Sequence, residues 1–308
     1  MKHYIFHSLI FIALLGQSIS SFAEVTESEA QQISKDEIKQ IIAGYQSAIM
    51  TKDEKKFDQL LQRDLISWLE TTPDNRTGIL PSQMGLKTPQ QGFYHSVFGS
   101  DAKFEEKISN IRIQTDGDVA SVFYDYEFFK NEKKIKNGSK SWHMVRNFEG
   151  WRINSILSSN LDGKPHSKKR ALVSENEISH VFLNGEIAAM NRDEAGYFSD
   201  LLHPYIPYLP IDASRRKGNL YTQQGNEPYV PVMPWGFWTK MEHLGPSMFS
   251  NQVITTDGEV ASIYHRYEDY DGMGEKVEVT GNMVTDFVRT PDGWKMVAKT
   301  FSVNNLPK

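Results

Sequence analysis

Thr115-Asp116-Gly117-Asp118-Val119-Ala120-Ser121 returns as Thr256-Asp257-Gly258-Glu259-Val260-Ala261-Ser262, 141 residues downstream. Upstream of it, Met50-Thr51-Lys52-Asp53-Glu54 returns as Met190-Asn191-Arg192-Asp193-Glu194 at a spacing of 140. Downstream, Glu149-Gly150-Trp151 returns as Asp292-Gly293-Trp294 at 143. Three matches in one order at nearly constant spacing point to a unit present twice. Solenoid repeats have periods of about 20–50 residues, so a doubled domain is the expectation.

Each copy reads the same way. Ile38, Ile41, Ile42, Tyr45, Ala48 and Ile49 follow the stripe of an amphipathic helix, and Ile178, Val181, Phe182, Gly185, Ala188 and Ala189 repeat it. Thr51 and Asn191 read as caps that end this helix and start a second one. Strand-like sequence follows, at 108–113, 119–129 and 142–148 in the first copy. Asp116-Gly117 and Asp257-Gly258 read as hairpin turns. Trp151 and Trp294 begin closing strands. Helices first and an antiparallel meander after them predict an α+β domain with helices on one face of a curved sheet.

Composition bounds the rest. The 308 residues carry 34 basic and 39 acidic side chains, a formal charge of −5, so nothing electrostatic points to nucleic acid. There is no cysteine, which excludes disulfides, thiol catalysis and cysteine-bound metal. Lys2, the apolar run from Ile5 to Leu15 and Ser21-Phe22-Ala23 predict a cleaved signal peptide over 1–23 and a secreted or periplasmic protein. That run is shorter than the ~20 apolar residues a membrane span needs, and no later stretch approaches one. The expected domains are 24–160 and 174–308, joined by a polar, basic linker over 161–173.

A helix followed closely by an aspartate, a long sheet with an aspartate-glycine hairpin, and a closing glycine-tryptophan strand resemble the nuclear-transport-factor-2-like superfamily, the SnoaL-like branch above all. The resemblance covers residues 33–159 and 174–304. It implies two tandem cone-shaped domains, each a bent sheet wrapped on helices around an apolar pocket. Members include isomerases, dehydratases and polyketide cyclases as well as proteins that only bind, so fold leaves function open. Two copies in one chain imply a monomer with an intramolecular pseudo-dimer.

The sequence holds no G-x-S-x-G, phosphate-loop, dinucleotide or H-E-x-x-H motif, and its histidines are scattered, so neither metal nor cofactor is expected. Alternation puts Ala120, Val122, Tyr124 and Tyr126 on one strand face, with Ala261, Ile263, His265 and Tyr267 equivalent. This more apolar face is expected to line the pocket. Tyr124 and Tyr126 then become ligand contacts, as do Trp235 and Trp238 in the proline- and aromatic-rich stretch 229–238. An isomerase-type reading, which follows what the resemblance implies, makes His265 the base, Tyr267 the donor and Asp286 the orienting acid. The plainer reading is that these side chains simply pack. A second proline-aromatic stretch, 203–210, reads as a loop at the pocket rim or between the domains. The expectation is an exported protein that binds a small apolar molecule or a partner, with acid/base catalysis in the second copy as the alternative.

Overall fold

The computed structural model describes residues 29–62, 66–72, 89–147, 149–191, 193–199, 208–212, 244–271 and 273–305. The predicted signal peptide, Trp235 and Trp238 lie outside them. Helix α1 (29–51) leads into α2 (Glu54–Asp58), β1 (Ser67–Thr71), α3 (Pro89–Val97), β2 (Phe104–Thr115), β3 (Val119–Lys130), β4 (Lys133–Asn147) and β5 (Gly150–Ser159). Then come α4 (Lys168–Met190), α5 (Glu194–Ser199), β6 (Tyr208–Asp212), β7 (Leu244–Thr256), β8 (Val260–Asp271), β9 (Val277–Thr290) and β10 (Gly293–Asn305).

The strands form two five-stranded sheets, in the orders β1-β5-β4-β3-β2 and β6-β10-β9-β8-β7. The two orders correspond strand for strand. The α+β class is as expected, but the sheets are mixed rather than purely antiparallel, because β1 runs parallel to β5 and β6 parallel to β10. Both short edge strands escape sequence reading. In β6 the proline-rich segment read as a loop includes Pro210, paired with Phe301, and an edge strand tolerates a residue that donates no ladder bond.

Other local readings need correction for identifiable reasons. The caps of the second helices are Asp53 and Asp193, whose carboxylates accept from Lys56 N (2.9 Å) and Gly196 N (3.0 Å). Thr51 instead bonds back to Ser47 O within α1, and Asn191 closes the C-terminus of α4. Helix α4 starts at Lys168, inside the stretch read as linker, because Ser167 accepts from Arg170 N and caps it.

The repeated hairpin is built identically twice. Asp116 Oδ1 accepts from Asp118 N and Val119 N, both at 2.9 Å; Asp257 Oδ1 accepts from Glu259 N at 2.9 Å and Val260 N at 3.0 Å. Gly117 and Gly258 take φ of +101° and +95°, the left-handed region glycine enters without strain. The helix-to-sheet tie is also doubled. Glu37 accepts from Trp151 Nε1 (3.2 Å) and pairs with Arg146 (2.9 Å), while Glu177 accepts from Trp294 Nε1 (3.0 Å) and pairs with Arg289.

Alternation sorts each sheet into two faces. Ala120, Val122, Tyr124 and Tyr126 join Ile38, Ile42, Tyr45 and Ile49 of α1 in the first core. Ala261 and Ile263 join Ile178 and Phe182 of α4 in the second. The opposite faces of the two sheets meet each other, with Phe123, Leu157 and Leu69 packed against Val260, Val288 and Val297, and Val119 and Val145 against Tyr264 and Val284. A bulge in β10 between Met296 and Ala298 keeps the closing strand in phase with both jobs: Met296 and Phe301 stay on the helix side while Thr300 and Ser302 turn to the other half.

Gly281 sits where backbone must approach closely. Tyr267 O–H, opposite it in the ladder, donates across it to Ser302 O at 2.7 Å, and a Cβ at Gly281 would run into that carbonyl. Gly138, Tyr126 and Ser159 repeat the arrangement at 2.8 Å. Gly281→Ala is therefore expected to cost about 2–4 kcal/mol, measured as a lower denaturant midpoint, because backbone and not a mobile side chain must move. An unchanged midpoint would show that the strands can spread freely.

Candidate functional site

The chemistry inside the first half centres on a pair that alternation does not single out. Glu106 of β2 and Lys140 of β4 meet at 2.5 Å, and both are essentially buried. Tyr45 O–H of α1 accepts from Lys140 Nζ at 3.1 Å, and Tyr124 O–H donates to Glu106 Oε1 at 3.4 Å. Lys140 Nζ also lies 4.5 Å above the ring of Tyr126. Trp142, two residues along β4, packs edge-on against Tyr45 and Tyr124 with centroids 4.9 and 5.1 Å away. Phe57, Phe93 and Phe128 belong to the same apolar wall. Burial lowers the Lys140 ammonium below the ordinary lysine value, although Glu106 opposes this. Burial and the Glu106 charge push Tyr45 and Tyr124 well up, so both remain hydroxyl donors at neutral pH.

The second half has its own buried pair on different elements. Glu186 of α4 meets Lys299 of β10 at 2.5 Å. Burial alone would lower Lys299, but Glu186, Tyr197 and Asp269 outweigh it and hold the ammonium above its ordinary value. Asp269 is itself raised by burial while accepting from Ser247 O–H at 2.7 Å. His265 is completely buried between Phe182 and Phe249, with ring centroids 4.8 and 5.2 Å away. Among the described residues neither of its ring nitrogens has a hydrogen-bond partner. Burial, with a smaller push from the Lys299 charge, lowers its pKa to about 3, so the ring is neutral at ordinary pH.

The trio His265, Tyr267 and Asp286 is not assembled. Tyr267 O–H is held by Ser302 O. Asp286 pairs with Ser262 in the ladder and faces the other half, where it accepts from Ser141 O–H at 2.7 Å and lies 3.1 Å from His143 Nε2. His265 faces the helix side of the same sheet. Of the predicted ligand contacts, Tyr124 reaches the Lys140–Glu106 pair through its hydroxyl, whereas Tyr126 offers its ring and spends its hydroxyl on Ser159 O. Lys140 escapes sequence reading because its place on the helix side follows only once β4 is in register with Tyr124. Among the described residues no group of three His, Asp or Glu is placed to hold a metal ion, and no helix is long and apolar enough to cross a membrane.

No family model matches the sequence, and no curated protein does. Solved structures are similar to part of it. One is an NTF2-like protein from Cytophaga hutchinsonii, at 15% identity and a TM-score of 0.32, covering 42% of this chain and 98% of that one. Another is an NTF2-like protein of unknown function from Pseudomonas putida KT2440, at 15% identity and 0.32, covering 43% and 87%. A third, from Nostoc punctiforme, has a cystatin-like fold, at 9% identity and 0.33, covering 43% and 92%. These neighbours are NTF2-like and cystatin-like in fold.

Proposed function

We propose that this chain is a binding protein made of two tandem NTF2-like cones, exported after loss of residues 1–23, whose first cone holds a small, mainly apolar molecule by one polar group. The observation that carries the reading is the Lys140–Glu106 pair, buried at 2.5 Å and reached by the tyrosine hydroxyls of Tyr45 and Tyr124 inside an aromatic core. Stability does not account for such a pair, since apolar residues of like volume usually hold a core as well or better. A cation, a carboxylate and two hydroxyl donors at one spot instead suit a ligand's carbonyl, hydroxyl or carboxylate, with Trp142, Phe57 and Phe93 as apolar walls. Matching strand orders, matching hairpins and the doubled Glu–Arg–Trp tie support the two-copy reading.

The acid/base alternative has less behind it. His265 is neutral, but among the described residues it lacks the orienting partner a general base uses, and Asp286 faces elsewhere.

The test is a thermal-shift and tryptophan-fluorescence screen of planar aromatic and alicyclic compounds, each with and without a carbonyl or carboxylate, against the mature protein. A compound at about 100 times its Kd is expected to stabilise the fold by about 2.7 kcal/mol. The double variant K140M/E106L should lose the preference for the polar-group compounds. A screen in which nothing shifts the melting temperature, or in which that variant binds every compound unchanged, sinks the reading.

A further inference from the structure

The contact between the two sheets has a feature that neither the apolar packing nor the ligand reading requires. Ser121 and Ser262 hold the same place in the two hairpin strands, and they meet each other at 2.8 Å. Such a contact between equivalent residues arises where a two-fold relation passes between them. The flanking contacts obey the same relation. Asp116 Oδ2 accepts from Ser302 O–H at 2.5 Å, and Asp257 Oδ2 is bonded to Ser159 O–H in the reciprocal place. One ladder step from the two serines stand His143, opposite Ser121, and Asp286, opposite Ser262. These two are therefore also equivalent positions, and they too meet each other: His143 Nε2 lies 3.1 Å from Asp286 Oδ1, within ion-pair reach though not aligned as a hydrogen bond.

We infer that His143 and Asp286 form a pairing lock that makes the interface specific for one N-terminal half against one C-terminal half. Two identical halves would bring histidine against histidine, or aspartate against aspartate, at a fully buried spot. Two carboxylates in contact in a dry interface repel, and two imidazoles lack the acid–base complement that His143 and Asp286 give each other, so either like pairing is disfavoured against the mixed one. The surroundings sharpen this. Ser141 O–H donates to Asp286 Oδ1 at 2.7 Å, His143 Nδ1 lies 3.1 Å from Thr300 Oγ1, and Asn154 Nδ2 reaches the same hydroxyl at 3.4 Å. None of these neighbours ionises near neutral pH, and the carboxylates of Asp116 and Asp257 at the flanks are already engaged by serines. The partner this surface fits is thus the opposite half of the same kind of chain, and a second copy of the same half is excluded. The inference rests on the two-copy reading for its symmetry.

The experiment uses the full chain with H143D, D286H and the exchange H143D/D286H, each melted from pH 4 to pH 9. Each single variant should lose roughly 5–12 °C in Tm, and the exchange should return to within about 3 °C of the parent. The single variants should also respond to pH in opposite senses. H143D, with two carboxylates, recovers as the pH falls and one of them protonates. D286H, with two imidazoles, weakens further as the pH falls and both charge. If H143D does not fold, D286H against the exchange decides in the same way. An exchange variant as unstable as the two single losses added together, with no opposed pH response, overturns the lock. It would leave the two-copy reading standing, because that rests on strand order and register, and it would leave the ligand screen untouched, because His143 and Asp286 lie on the sheet faces away from Lys140.

Discussion

Glu106→Leu is expected to lower stability by about 3–5 kcal/mol at pH 7, the usual cost of leaving one partner of a buried ion pair without the other. The upper end can be argued from the lysine itself. With Glu106 gone, the main influence holding the Lys140 ammonium charged disappears, while the burial that already lowers it remains. The folded protein then avoids a bare buried charge by releasing the proton. Releasing it at pH 7 from a group whose ordinary value is 10.5 costs about 1.36 kcal/mol for each of the intervening pH units, or roughly 5 kcal/mol. The sign of the pH dependence follows. In the variant the unfolded chain binds the lysine proton up to about pH 10.5 and the folded chain does not, so stability rises with pH across that window and the deficit against the parent shrinks. K140M/E106L, which removes both charges, should lie within about 2 kcal/mol of the parent. Urea titrations at pH 7 and pH 9.5 read all of this. A Glu106→Leu loss below about 1 kcal/mol at pH 7 would show that Lys140 reaches water or another anion. Glu186→Leu should cost less than its counterpart, because Tyr197 and Asp269 both remain to favour the Lys299 ammonium, whereas Lys140 keeps only Glu70, which is itself paired with Lys136.

Part of this architecture can be read from the chain because the same physics is written into it twice. Thr115–Ser121 and Thr256–Ser262 are legible as hairpins, since an aspartate before glycine satisfies the turn's own amides. The second task of that aspartate is not legible: Oδ2 of Asp116 and of Asp257 crosses to a serine of the opposite half, and nothing local marks it. Period-two alternation likewise places Tyr124 and His265 on the helix side, but it gives no reason to link Tyr124 with Lys140, which depends on register between strands. The same blindness puts His265 and Asp286 in one site. They sit on neighbouring strands, yet Asp286 is level with Ser262 and His265 with Met283, and an odd ladder offset sends them to opposite faces. The edge strands β1 and β6 stay hidden because each draws its stability from one parallel neighbour and five residues carry little pattern of their own.

The largest acid sensitivity is expected at His265, and its removal should stabilise the protein where most substitutions at fully buried sites do harm. The ring lies between Phe182 and Phe249, its nitrogens find no partner among the described residues, and its pKa falls to about 3 in the fold. The unfolded chain restores the ordinary value of 6.5. Between those two values the unfolded state binds a proton that the folded state refuses, so stability is lost as the pH falls through 6.5 and continues to fall until about pH 3. At 1.36 kcal/mol for each unit, a displacement of this size amounts to roughly 4–5 kcal/mol by pH 3, enough to consume much of an ordinary domain's margin. His265→Leu removes both the titration and the two unsatisfied nitrogens while filling much of the same volume. It should flatten the acid limb of the stability curve below pH 6 and leave the neutral value equal to or about 1 kcal/mol above the parent. The measurement is urea unfolding at half-unit steps from pH 4 to pH 8 for both proteins. Parallel curves would mean that His265 takes up its proton in the folded state with a partner close at hand, which is the condition an acid/base role requires, and would return the second half to consideration as a catalytic site.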